Sequence, residues 1–195
     1  MNDFQNLKLQ EGKLRTKADS FGVKGKNDIL DALDLAKKAH EGQKRDEGIP
    51  YVIHPIRVAN TLMYDLSSKG VESIVSGLLH DVVEDTNVTL AEIEKRFGKK
   101  VADTVLSLTR DKKKETKKEK FEKTLQKEQR IKLLKACDWL DNLRSLAYWT
   151  DRGEKWQRHL QEAKEMYIPL AKATENKWLI GEMEKAYDKV LRTHK

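Results

Sequence analysis

Apolar residues recur along this chain at three- and four-residue steps, the period of helices that bury one face. Ile29, Ala32, Leu33, Ala36 and Ala39 mark a first firm helix, capped by Asn27 and stopped by Gly42. A loop over 43–53, broken by Gly48 and Pro50, leads to His54-Pro55, where the proline suits a first helical position. Val58, Ala59, Leu62, Met63 and Leu66 give that second helix its core face, and Gly70 ends it. Val71, Ile74, Val75, Leu78, Leu79, Val82 and Val83 predict one continuous third helix. Thr89 and Glu92 form a capping box for a helix that runs to Phe97 and stops at Gly98. Val101, Val105 and Leu108 mark the next. Phe121 and Leu125, then Ile131, Leu134, Leu140, Leu143 and Ala147, continue the pattern. Trp156, Leu160, Ala163 and Tyr167 predict a helix that Pro169 kinks or ends. Leu179, Met183, Ala186, Tyr187, Val190 and Leu191 make a last amphipathic helix.

The expected fold is an all-α, single-domain helical bundle over residues 27–195. Residues 1–26 lack sustained periodicity and read as a loosely ordered extension with a short helix at its start. Residues 110–130 are rich in lysine. They read either as a solvated, mobile segment or as a lid over an active site.

Composition narrows the class. The chain has 195 residues, 38% of them hydrophobic, enough for a real core. No apolar run approaches the roughly 20 residues a membrane helix needs, and the start lacks the apolar core of a signal peptide. The single cysteine, Cys137, excludes an intramolecular disulfide and suits a reducing cytoplasm. A formal net charge of +7 favours an anionic partner: a nucleotide, nucleic acid or an acidic membrane. Nucleic acid is the weaker choice, because no aromatic residues interleave with the lysines.

The chemistry gathers at 80–85. His80, Asp81, Glu84 and Asp85 fall on the flank that the apolar stripe leaves free. Carboxylates at a helix C-terminus are disfavoured unless something positive compensates. A divalent cation fits, since His and Asp are good ligands; a solvated acidic helix end is the alternative. His54 is the next histidine of interest, a ligand or a capping residue. His40 reads as a helix-end residue that suits the dipole, with a donor placed behind the metal ligands as the alternative, and His159 and His194 read as surface residues. Asp138 interrupts an apolar segment, which is costly unless it is paired. It forms a salt bridge to Lys135 or Arg144, or it is a metal ligand from a distant helix. Asn142 shares its face.

The ordered set runs from residue 28 to 171. It comprises Ala39-His40-Glu41-Gly42-Gln43, Arg45 to Gly48, Pro50-Tyr51, His54-Pro55, Leu78-Leu79-His80-Asp81, Glu84-Asp85-Thr86 and Phe97-Gly98. Asp138 with Asn142 and Arg144, and Glu162 with Tyr167 and Pro169, complete it. It resembles the HD-domain metallohydrolases, and within them the hydrolase domain of the RelA/SpoT-homologue alarmone enzymes. The synthetase half of that family normally follows this region; the chain ends at Lys195 and so looks like a stand-alone small alarmone hydrolase.

The resemblance implies that His54, His80, Asp81 and Asp138 hold one manganese ion (Mn2+), while Glu84 and Asp85 handle the attacking water. Arg45 meets the substrate's phosphates and Asn142 its sugar–phosphate edge, with Tyr51, Arg144 and Tyr167 as further substrate contacts. The implied reaction is hydrolysis of the 3′-diphosphate of guanosine tetraphosphate or pentaphosphate (ppGpp, pppGpp), giving pyrophosphate and GDP or GTP. Trp139 stands where the family has a basic residue, Asp141 where it has an aromatic or imidazole ring, and Asp46 where it often has Lys. These departures keep open a related substrate, such as an adenine alarmone or the 2′-phosphate of NADPH. A non-enzymatic nucleic-acid-binding protein is the other alternative.

Overall fold

A computed structural model describes residues 2–68 and 70–193. The fold is all-α; among the described residues no strand forms, and one isolated antiparallel bridge joins Lys44 to Pro50. Backbone contacts divide the chain into two compact units, Met1–Asp111 and Lys112–Lys195. No helix among the described residues is long and apolar enough to cross a membrane.

In the first unit, α1 (Leu7–Ala18) packs on α3 (Ile53–Asn60), and α2 (Gly22–Ala39) packs on α4 (Val71–Leu79). α4 also meets α3 and α7 (Lys99–Leu108), and α7 pairs with α6 (Leu90–Phe97). Ile29, Leu33, Ile53, Ile56, Ile74 and Leu78 are fully buried between them. Gly77 allows this close approach: a Cβ there would meet Leu62 Cδ1 at 2.9 Å. Of the expected capping box on α6 the structure shows the Thr89 half, which accepts from Glu92 N–H at 3.2 Å, while the Glu92 carboxylate meets Arg96 Nη1 at 3.5 Å; Gly98 ends the helix at φ +88°.

The N-terminal segment departs from the expected loose extension. α1 is three turns long, capped by Asn6, whose side chain accepts from Leu9 N–H at 3.1 Å. Its buried face consists of Gln10, Leu14 and Ala18, which gives too weak an apolar signal to read. Gln10 is satisfied in the interior by Asn60 Nδ2 at 3.0 Å. Ahead of α1, the Phe4 carbonyl accepts from Arg57 Nη1 at 3.1 Å, and the Phe4 ring lies 3.7 Å from that guanidinium. α2 likewise begins at Gly22 instead of Asn27. Gly25 sits inside it because a Cβ would come within 2.9 Å of Val71 Cγ2.

The second unit is built on α9 (Gln129–Leu146), against which α12 (Lys177–Arg192) packs. The lysine-rich stretch is partly folded. Thr116 and Glu119 cap each other reciprocally at the start of α8 (Lys117–Leu125), and Lys120 is buried. α10 (Glu154–Glu162) passes through a π-helical turn over Ala163–Tyr167 into α11 (Ile168–Ala173), where Pro169 occupies the second position. The proline thus falls directly after the wide π-helical turn, where the ladder is already interrupted. His159 is not the surface residue expected. Its ring meets the Trp149 edge at 5.2 Å, and burial, then the Lys117 charge, brings its pKa down to about 4. His194 lies outside the described residues.

Candidate metal centre

The predicted single helix over 71–85 is in fact two. α4 ends at Leu79, before the acidic residues begin, and α5 (Val82–Asp85) restarts after a turn at His80-Asp81. Its first bond runs from Asp85 N–H to the Asp81 carbonyl at 2.9 Å. The break keeps the carboxylates off the negative end of a long helix.

The core fixes His80 from behind. Leu78 and Leu79 are buried, and His80 Nδ1 lies 2.8 Å from the Gly77 carbonyl. A carbonyl only accepts, so Nδ1 carries the proton and Nε2 presents its lone pair. His54 arrives from the start of α3, where the tight 45–48 turn and a bond from His54 N–H to the Tyr51 carbonyl at 2.9 Å set its backbone. His54 and His80 are 1% and 2% exposed. Their Nε2 atoms stand 3.2 Å apart, and Asp81 Oδ2 is 3.5 Å from the first and 3.2 Å from the second.

This triangle fits a cation. Donors about 2.1 Å from a common ion, at right or tetrahedral angles, stand about 3.0–3.4 Å from each other. The carbonyl behind His80 is the kind of partner that orients a ligating imidazole. Among the described residues these three are the group of His, Cys, Asp or Glu whose donor atoms converge closely enough to hold a metal ion.

Glu84 and Asp85 lie on the same turn. Glu84 Oε2 accepts from Arg110 N–H at 2.8 Å. The Tyr51 hydroxyl donates to Asp81 Oδ2 at 2.6 Å and lies 3.3 Å from Asp85 Oδ2. Burial, then the Asp81 charge, pushes the Tyr51 pKa far above its ordinary value, so it stays a donor. Gln43 Nε2 donates to the Asp85 carbonyl at 3.1 Å.

His40 does end α2, but it is not a solvated helix-end residue. It is 3% exposed and stacked on Tyr51 at 4.6 Å between centroids, and its Nδ1 meets Gln43 Oε1 at 2.8 Å. Burial holds its pKa below the ordinary imidazole value. Arg45 Nε lies 3.6 Å from Glu47 Oε1, and its guanidinium sits 5.6 Å from the Tyr51 ring. The buried Glu47 also faces Arg57 Nη2 at 3.9 Å.

The remaining predicted site residues belong to the second unit. Asp138 is buried and meets Lys135 Nζ at 2.9 Å, while Asn142 Nδ2 donates to its other oxygen at 2.7 Å. Arg144 turns to α12, with Nη2 2.7 Å from Glu182 Oε2 and its guanidinium 5.9 Å from the Trp178 ring. Tyr167 stacks on Trp139 at 4.6 Å, and its hydroxyl accepts from Lys117 Nζ at 2.6 Å. Lys117 also meets Glu162 Oε2 at 2.6 Å. Lys117 lies in the lysine-rich run that reads as a solvated segment or a lid, and only the threonine cap one residue earlier sets it apart from its neighbours.

A family model described as an HD domain matches residues 32–175. A guanosine-3′,5′-bis(diphosphate) 3′-pyrophosphohydrolase of Aquifex aeolicus is 40% identical over 152 residues, 74% of this chain and 21% of that protein. The chain thus spans about a fifth of that relative's length. The mouse guanosine-3′,5′-bis(diphosphate) 3′-pyrophosphohydrolase MESH1 is 39% identical over 136 residues, 67% of this chain and 75% of that one. The solved structure of a metazoan ortholog of SpoT that hydrolyzes ppGpp and plays a role in starvation responses matches with a TM-score of 0.75 and 30% identity. That match covers 83% of this chain and 94% of the other. With the fold, the buried histidine pair and the aspartate beside it in common view, the chain belongs to the HD-domain family.

Proposed function

We propose that the protein hydrolyses the 3′-diphosphate of ppGpp or pppGpp in the cytoplasm, with manganese as its cation. The observation that carries this reading is the donor triangle of His54, His80 and Asp81, with Glu84 and Asp85 on the same turn. Relatives of this fold that bear the ppGpp name supply the substrate class.

In this reading Asp138 joins His54, His80 and Asp81 as the fourth ligand. A bound divalent ion supplies Lewis-acid polarisation of a phosphoryl oxygen and a more acidic water. The chain's own groups do the rest. Glu84 accepts a proton from the attacking water, with Asp85 beside it. The water oxygen bonds to the phosphorus next to the ribose, the P–O3′ bond breaks, and O3′ takes up a proton from solvent as Glu84 releases its own, leaving as a hydroxyl. Pyrophosphate and GDP, or GTP, are released. Arg45 neutralises phosphate charge, and its partner Glu47 holds the guanidinium side-on. Asn142 meets the sugar–phosphate edge, and Tyr167 is a further substrate contact. Arg144 is assigned to bracing α9 against α12, since its guanidinium is engaged by Glu182 and Trp178.

Product analysis after incubation with ppGpp tests the reading. GDP and pyrophosphate are expected in equal amounts with manganese and neither after chelation. Intact ppGpp alongside turnover of an adenine alarmone or NADPH would move the assignment to that substrate. The buried Trp139, stacked on Tyr167 at the position where the family resemblance implies a basic residue, is the reason to include both.

A further inference from the structure

The turn bearing Asp81, Glu84 and Asp85 has little support of its own. α4 stops at Leu79, and α5 supplies only Val82–Asp85. Three carboxylates lie within residues 81–85 and repel one another. Such a turn keeps a defined geometry only if groups outside it grip it.

Two side chains of the preceding loop do so. Tyr51 grips from the side-chain face, through Asp81 Oδ2 at 2.6 Å and Asp85 Oδ2 at 3.3 Å. Gln43 grips the main chain, donating to the Asp85 carbonyl at 3.1 Å. His40 ties the two grips together: its Nδ1 lies 2.8 Å from Gln43 Oε1, and its ring stacks on Tyr51. His40 in turn ends the 18-residue helix α2, so the brace is anchored in a long element.

We propose that His40, Gln43 and Tyr51 form a positioning brace for the carboxylate turn, and that Tyr51 acts through Asp81 instead of touching substrate. This rests on the reading that Asp81 holds the cation, and it moves Tyr51 out of the substrate-contact role that the family resemblance implies. The hydroxyl has one proton, and the shorter contact shows where it goes: to the carboxylate oxygen that also faces both histidines. A hydrogen bond behind a metal ligand fixes that ligand's direction and basicity. The Gln43 bond fixes a different atom, the backbone of Asp85, so the two halves of the brace have separable effects.

Tyr51→Phe keeps the ring stacked on His40 and deletes only the hydroxyl. In the full chain, calorimetric titration with manganese chloride alone is expected to show affinity about tenfold weaker than in the parent. With ppGpp, kcat is expected to fall while KM stays within about twofold, the pattern of a group that does not bind substrate. Gln43→Met is expected to lower kcat and leave manganese affinity unchanged. Unchanged manganese affinity in Tyr51→Phe, or a raised KM with kcat retained, overturns the proposal. A parent protein that binds manganese but leaves ppGpp intact sinks the substrate reading alone; the manganese titration still decides the brace.

Discussion

His80→Ala and Asp81→Asn are each expected to abolish hydrolysis and, with it, tight manganese uptake. The two side chains supply atoms of one donor triangle, with His80 Nε2 and Asp81 Oδ2 3.2 Å apart. Removing a group one step behind a metal ligand costs about 10–100-fold, so removing a ligand itself must cost more. Asp81→Asn is the sharper variant. Its amide oxygen still accepts from Tyr51, so the turn is preserved and the loss reports on charge and ligation. The check is paired: turnover of ppGpp, and manganese retained after dialysis. A variant that keeps its manganese and its rate would remove Asp81 from the metal centre.

Glu84→Gln and Asp85→Asn are expected to separate chemistry from metal binding. General-base groups contribute about 10²–10⁴-fold to rate, and at least one of the two variants should lose that much in kcat. Neither carboxylate belongs to the converging donor triangle, so manganese affinity should stay near the parent value. A glutamine at 84 still offers an oxygen to Arg110 N–H, which limits the change to basicity. If both variants hydrolyse ppGpp at the parent rate, the water-handling role of this pair is wrong.

Most of this fold could be read from apolar spacing because its helices are amphipathic and bounded by strong signals. The Thr89 cap and the Gly98 stop act in the structure as their chemistry predicts. The failures have physical causes. α1 was illegible because one third of its buried face is Gln10, which is satisfied by Asn60 in a way no local pattern reveals. Gly25 weakens the helical signal of its own segment, since its place in α2 is set by close approach to Val71. The break between α4 and α5 was hidden because Val82 and Val83 continue the apolar stripe across it.

The site shows the same division. His54, His80 and Asp81 were legible as residues able to ligate, and the structure brings their donor atoms to 3.2–3.5 Å of one another. The layer behind them was only partly legible. His40 read first as a helix end and second as a donor behind the ligands, and its stacking on Tyr51 is a tertiary contact that no local pattern announces. Arg144 faces Glu182 of α12 at 2.7 Å, a tertiary partner that no local pattern announces.

The most direct test of the metal centre is an anomalous difference map from crystals of the full chain grown with manganese. The expected result is a single strong peak bonded by His54 Nε2, His80 Nε2 and Asp81 Oδ2. A peak held by other residues, or a clean map at the two histidines, would contradict it.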